Sequence, residues 1–240
     1  MVDDPETTRV IVNADDFGLS PGVNRGIARA HHSGIVTSTS LMVRAPAAKS
    51  AAEISWEYPS LSVGLHLDLG EWRFASGEWI ALYERAPLDD AKALEAEVSA
   101  QFEIFAELLG SAPTHVDSHQ HAHQNEPLRS VVTAHAAELG IPVRHFTPDV
   151  RYCGDFYGQD ETGTTYADRI TAGFLAKLLT SLNAGTTELC CHPAEVVDFD
   201  SVYAVERLSE TAALCDPMVR AVVEERGIDL IPFEPAKGVT

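Results

Sequence analysis

Carboxylates and imidazoles recur at four separate places along the chain. Asp15 and Asp16 are adjacent, His66 lies in GLHLDL, HVDSHQHAH over 115–123 carries four histidines, and His192 precedes Pro193. Side chains of neighbouring residues in a continuing strand point to opposite faces, so Asp15 and Asp16 can share a site only if the turn at Phe17-Gly18 swings both to one mouth. Two such carboxylates can divide labour, one held ionised by a cation and one free to move protons. The competing reading is a turn and helix cap.

In GLHLDL the leucines alternate with His66 and Asp68, which places both polar residues on the inner or mouth side of a strand. A continuing strand through HVDSHQHAH aligns His115, Asp117, His119, His121 and His123; a helix instead pairs His115 with His119 and His119 with His123. His119 belongs to the favoured set either way, which makes it the foremost metal-ligand candidate. Its neighbours Asp117, His121 and His123 are left to contact substrate or to orient the ligands. His192, biased toward extended backbone by the following proline, is placed to give a proton near neutral pH, unless it is a core histidine bonded to a carbonyl. One aspartate and two histidines make a three-ligand divalent site with room for water and a substrate oxygen. The nitrogen-rich set suits zinc; magnesium prefers more oxygen, and the choice between Mg2+ and Zn2+ stays open.

These residues need elements to bring them together. Arg9 to Asn13 reads as a strand, and Ser20-Pro21 opens a helix with Val23, Ile27 and Ala30 on one face. The alternation continues with a strand over 35–43, an Ala-rich helix over 45–55 and a strand over 61–69. A long loop follows over 70–88, then a helix over 89–109, a strand over 113–118, a helix over 127–139 and a strand over 141–145. An irregular stretch spans 149–163. A helix over 165–183, a strand over 187–191, a single helix over 203–226 and a closing strand over 227–233 complete the order. Strands alternating with helices predict an α/β fold with a parallel sheet, specifically a (β/α) barrel, incomplete or seven-stranded, over one domain spanning 1–240. Every candidate residue sits at the C-terminal end of a predicted strand, the face on which such barrels build active sites.

Composition narrows the partners. The 240 residues carry a formal net charge of −19, which opposes binding to nucleic acid or an anionic membrane. No apolar run approaches the roughly 20 residues of a membrane span. The acidic start lacks the basic and apolar regions of a secretory signal, so a cytoplasmic location is expected. Cys153, Cys190, Cys191 and Cys215 show no CxxC spacing and read as buried thiols.

With VNADDFGLSPGVNRGI, GIVTSTSLMV, PSLSVGLHLDL, PTHVDSHQHAH and CHPAE in view, the chain resembles the YdjC-type carbohydrate deacetylases, which include chitooligosaccharide deacetylases and a hopanoid-biosynthesis branch. The resemblance implies a deacetylase-like barrel, one divalent metal ion on Asp16, His66 and His119, Asp15 as catalytic base, and a homodimer. It also implies an acetylated amino sugar as substrate, hydrolysed to release acetate; His192, or else one of the clustered histidines, is the candidate to protonate the departing amine. Trp72, Trp79, Phe156 and Tyr157, in the two irregular stretches, are candidates to stack on sugar rings. Two other readings follow from the residues. A metal-dependent phosphoesterase would use the HxH spacing of His121 and His123, and a non-catalytic sugar-binding protein would keep the barrel without turnover.

Overall fold

A computed structural model describes residues 7–160 and 162–234. The central strand β1 (Thr8–Phe17) is hydrogen-bonded in parallel to β2 (Ser38–Leu41) on one side and to β8 (Gly185–Cys191) on the other. Its Val10, Ile11 and Val12 are buried, as expected where a parallel strand has both faces covered. β3 (Ser62–Leu67), β6 (Val116–Ser118) and β7 (Val150–Cys153) extend the sheet to the order β6-β3-β2-β1-β8-β7, while β9 (Asp229–Leu230) adds a short pairing to the start of β1. The sheet curls into an open half-barrel. Among the described residues no ladder joins β7 to β6, so the barrel stays open along that seam.

Helices α1 (Pro21–Ser33), α2 (Ala48–Glu57), α3 (Ala91–Leu109), α4 (Leu128–Leu139), α5 (Ala172–Ser181), α6 (Val205–Leu214) and α7 (Pro217–Glu225) complete the fold. Val10, Val12, Ile27, Leu65, Phe105 and Leu189 belong to one apolar core shared by sheet and helices. α1 starts where the Ser20 hydroxyl accepts the Val23 N–H and proline occupies the first turn. A Cβ on Gly26 would lie 2.4 Å from Ala194 Cα, so glycine lets α1 lie directly on the segment that follows β8 and carries His192. Among the described residues no helix is long and apolar enough to cross a membrane.

Four segments differ from the sequence reading. The stretch 70–88 is not a structureless loop: β4 (Gly70–Ala75) and β5 (Glu78–Glu84) form an antiparallel hairpin around Ser76-Gly77, both at positive φ. The strand expected over 141–145 reduces to one parallel bridge, Val143 to Val116, because Pro142 has no N–H to donate and the chain turns back at Phe146 and Thr147. The stretch 149–163 instead supplies β7. The single helix over 203–226 is two helices, since Asp216 caps α7 and Pro217 opens it. Cys153, Cys190 and Cys191 are buried, Cys215 is partly buried, and all four thiols are free.

Candidate active site

Asp15 and Asp16 lie at the C-terminal end of β1, where its register with β2 slips between Ala14 and Phe17 and Asp16 takes φ 68°. Aspartate tolerates this left-handed conformation better than most residues, and the irregularity turns both carboxylates toward one mouth. Both are buried. A cavity of 310 Å3 opens above them, lined by His66, His119, His121, Tyr157, His192 and Tyr203 among others.

Asp16 Oδ1 faces two imidazoles, His119 Nδ1 at 3.1 Å and His66 Nε2 at 3.4 Å. On its far side His66 Nδ1 donates to Asp117 Oδ1 at 2.6 Å. That bond fixes the tautomer in which Nε2 offers its lone pair to the cavity, the arrangement a metal-binding histidine needs. The three candidate donor atoms lie within 4.8 Å of one another. One carboxylate and two imidazoles at a cavity floor fit a divalent cation, and the open side leaves room for exogenous ligands. Two other groupings, Asp15 with Cys190 and His192, and Asp15 with His66 and Asp117, are poorer cradles because Arg144 engages both oxygens of Asp15 and Oδ2 of Asp117, whereas Arg207 takes only Oδ2 of Asp16 and leaves Oδ1 to the imidazoles.

Burial opposes ionisation of Asp16, but Arg207, whose Nη2 donates to Oδ2 at 2.6 Å, and the bonds from His119 and His66 outweigh it and hold the carboxyl well below its usual range. Burial likewise opposes charge on His66, but Asp117 and Asp15 outweigh it and push its pKa well above the ordinary histidine value. In the metal-free chain Asp16 is therefore an anion and His66 a cation.

Asp15 is held more firmly than a carboxylate reserved for proton traffic was expected to be. Arg144 Nη1 and Nη2 donate to its two oxygens at 2.7 Å each, and Asn13 Nδ2 donates to Oδ1 at 2.9 Å. Burial raises its pKa, Arg144 lowers it, and the net direction is down. Arg144 also binds Asp117 Oδ2 at 2.8 Å and Glu188 Oε1 at 2.6 Å. Burial leaves Glu188 the poorest anion of the three, with a pKa pushed up to about 7.

His192 stands in the cavity wall with Nε2 4.0 Å from Asp15 Oδ2. Burial pushes its pKa down to about 4, so it is neutral in the substrate-free chain rather than a ready proton donor near pH 7. Its Nδ1 is buried without a hydrogen-bond partner and lies 4.0 Å from Glu210 Oε1. Glu210, from α6, accepts the His192 backbone N–H and the Tyr203 hydroxyl, and burial pushes its pKa up to about 8. Tyr157 stacks on Tyr203 with ring centroids 4.3 Å apart and meets His192 edge-on, forming an aromatic wall beside the imidazole.

The histidine run divides by function. The strand stops at Ser118, and a short 3-10 segment, His119–Gln124, carries Gln120 and His121 in the left-handed region. His119 enters the cluster with Asp16 and His66. His121 lines the cavity, bonded through Nε2 to the Tyr152 hydroxyl at 3.2 Å. His123 is buried between Ser118 Oγ and the Arg144 carbonyl, and His115 lies deeper, beneath Asp117. Among the described residues His121 and His123 join none of the three clusters of possible ligands. Asp68 turns away from the cavity and anchors the hairpin, accepting from Arg85 Nε at 2.7 Å and Tyr83 Oη at 2.9 Å. Of the expected stacking residues, Phe156 and Tyr157 line the cavity, whereas Trp79 lies exposed against Phe74 on the hairpin. The sequence reading missed Arg144, Arg207, Glu188 and Glu210. Only Arg144 carried a signal, as the one charged residue of the apolar segment IPVRH.

The YdjC-like protein family model matches residues 9–225. The chain is 36% identical to a chitooligosaccharide deacetylase of Salmonella typhimurium, over 91% of this chain and 95% of that one. It is 35% identical to a carbohydrate deacetylase of Geobacillus stearothermophilus, over 93% and 96%. Among solved structures, a putative cellobiose-phosphate cleavage protein from Enterococcus faecalis superposes with a TM-score of 0.73 at 26% identity, covering 95% of this chain and 98% of that one. A polysaccharide deacetylase from Bacillus cereus shares the fold at TM-score 0.57 and 15% identity, covering 97% and 95%. By the family model and by these relatives, the chain belongs to the YdjC-like family.

Proposed function

We propose that the protein is a metal-dependent carbohydrate N-deacetylase that hydrolyses the acetamide of an N-acetylated amino sugar, such as an N-acetylglucosamine unit of a chitooligosaccharide, to acetate and a free amine. The observation that carries this reading is the juxtaposition, on one cavity floor, of the Asp16, His66 and His119 cluster with an arginine-held carboxylate and a neutral imidazole. The relatives named as deacetylases support it.

Asp16, His66 and His119 would hold one divalent ion; their nitrogen-rich set favours Zn2+, and Mg2+ is the alternative. When bound, the ion supplies positive charge that polarises the acetamide carbonyl and acidifies a water. Asp15, ionised and fixed by Arg144, accepts a proton from the attacking water. His192, neutral and with Nε2 near the same Asp15 oxygen, takes up that proton and delivers it to the departing nitrogen. The water proton thus ends on the amine as the C–N bond breaks and the hydroxyl stays with the acetyl carbon. Tyr157 and Tyr203 present an aromatic face for the sugar ring, and His121, in the same cavity lining, offers a polar contact. A homodimer, as the resemblance implies, completes the reading.

Acetate release from a panel of N-acetylated mono- and oligosaccharides, with and without chelator, tests the proposal. Chelator-sensitive release that Asp15→Asn lowers by orders of magnitude while zinc content is retained is the expected result. Wild-type turnover in that variant would refute the base assignment, and tight sugar binding with no acetate from any substrate would favour a binding protein. His119→Ala should lose the metal by elemental analysis, and full occupancy would exclude it as a ligand.

A further inference from the structure

A file of buried polar side chains runs below the site, toward the end of the barrel away from the cavity mouth. Asp117, which holds His66, accepts a hydrogen bond from Ser40 Oγ at 2.7 Å through Oδ2. Ser40 spends its only hydroxyl proton on that bond and accepts from Asn13 Nδ2 at 2.7 Å, so His115 Nε2, at 3.2 Å, must be the donor to Ser40. The opposite ring nitrogen, His115 Nδ1, lies 2.9 Å from the Thr114 hydroxyl, which also meets Ser62 Oγ at 2.7 Å. Burial pushes the His115 pKa down to about 4.

Two features hold the His115 ring in place. Phe233, in the segment after β9, stacks on it with centroids 4.0 Å apart and planes 24° apart. The Phe233 backbone is tied on both sides, its N–H to Ser38 Oγ at 3.0 Å and its carbonyl to Ser62 Oγ at 2.7 Å. On the other side a Cβ on Gly64 would lie 2.4 to 2.5 Å from three ring atoms of His115, so only glycine at this strand position admits the imidazole. Gly64 pairs with Ser40 and His66 pairs with Asp117 across adjacent strands, which sets every member of the file in register.

We infer that His115 is a positioning residue: by donating to Ser40 it fixes the orientation of Asp117, and through Asp117 the tautomer and aim of His66 toward a bound cation. Without the Nε2–H, the Ser40 hydroxyl is free to rotate, and Asp117 Oδ2 keeps only Arg144 Nη2 as a fixed donor. Partners that orient a ligating histidine typically change metal affinity by about 10- to 100-fold. The inference rests on the reading of Asp16, His66 and His119 as metal ligands.

The test is zinc affinity of the metal-free protein, measured by calorimetry with a competing chelator, alongside its thermal midpoint. His115→Phe keeps a ring against Phe233 but removes the donor; Ser40→Ala breaks the next link without touching the ring and serves if the first variant fails to fold. Each should weaken zinc binding by about tenfold or more. The double variant should bind no worse than the poorer single one, because the links act in series. His115→Gln, which can restore an N–H to Ser40, should recover most of the loss. Lower thermal midpoints with unchanged zinc affinity would reduce His115 to a core residue and overturn the inference. Failure of the wild-type protein to bind zinc would overturn the ligand assignment itself, and the inference with it.

Discussion

Arg144 grips Asp15 end-on, Nη1 to Oδ2 and Nη2 to Oδ1, each at 2.7 Å. The guanidinium stands at the open seam between β6 and β7, next to the Val143 bridge, and reaches Asp117 on β6 and Glu188 on β8 as well. It therefore joins by charge the two sides of the sheet that no ladder joins among the described residues, while presenting Asp15 as a fixed anion.

Arg144→Lys removes the planar fork and leaves buried carboxylates short of donors. Breaking a buried ion pair in this way costs about 3–5 kcal/mol, so urea unfolding should show a loss of that order together with a fall in kcat. A variant of wild-type stability would show that the carboxylates find other partners.

Glu210 carries a pH signature. With its pKa pushed up by burial to about 8, against an ordinary 4.5, the folded chain holds a proton that the unfolded chain releases in that interval. Stability contributed by this group therefore falls as pH rises from about 4.5 through about 8. Thermal midpoints of wild type and Glu210→Gln between pH 5 and 9 should differ in slope, the variant losing less; parallel curves would contradict the assignment.

Metal loading should release protons. His66 carries a proton in the metal-free chain, and its Nε2 must give that proton up to bind a cation. Zinc titrations at pH 7 in buffers of different ionisation enthalpy should report the release of about one proton. A value near zero would mean that His66 is not a ligand.

Gln120 ties the hairpin to the site. Its side chain accepts the Trp72 N–H at 2.9 Å and donates to the Trp72 carbonyl at 2.7 Å. The contact is exposed, so Gln120→Ala should cost only about 0.5–1.5 kcal/mol per bond, yet free β4 from the cavity rim, where Glu71 lines the wall. Faster amide exchange in β4 and β5, with KM rising more than kcat falls, is the expected result. Unchanged exchange would place the anchor elsewhere, at Asp68 and Arg85.

The ends of β1, β3 and β6 were legible in the sequence because β-branched and leucine-rich runs there stop at Asp15-Asp16, His66 and Asp117, and parallel α/β sheets gather such ends on one face. The charge partners were not legible. Arg207 and Glu210 come from a helix whose amphipathic pattern reads as ordinary surface, although both are buried. The hairpin was missed because β5 is exposed along its whole length, so Trp79, Ile80, Leu82 and Tyr83 show no alternation with a buried face. Ser76-Gly77, both at positive φ, was the available signal, since such dipeptides favour tight hairpin turns. Asp216-Pro217 likewise marked the break between α6 and α7.

The pairing of β1 with β8 has a consequence for biosynthesis. The strand bearing Asp15 and Asp16 leaves the ribosome well before its hydrogen-bonded neighbours Gly185–Cys191 and Asp229–Leu230. Until those residues emerge, one edge of β1 and its apolar flanks stay uncovered, an invitation to chaperones and to self-association. The nascent chain must therefore carry its two aspartates unassembled until β8 has emerged.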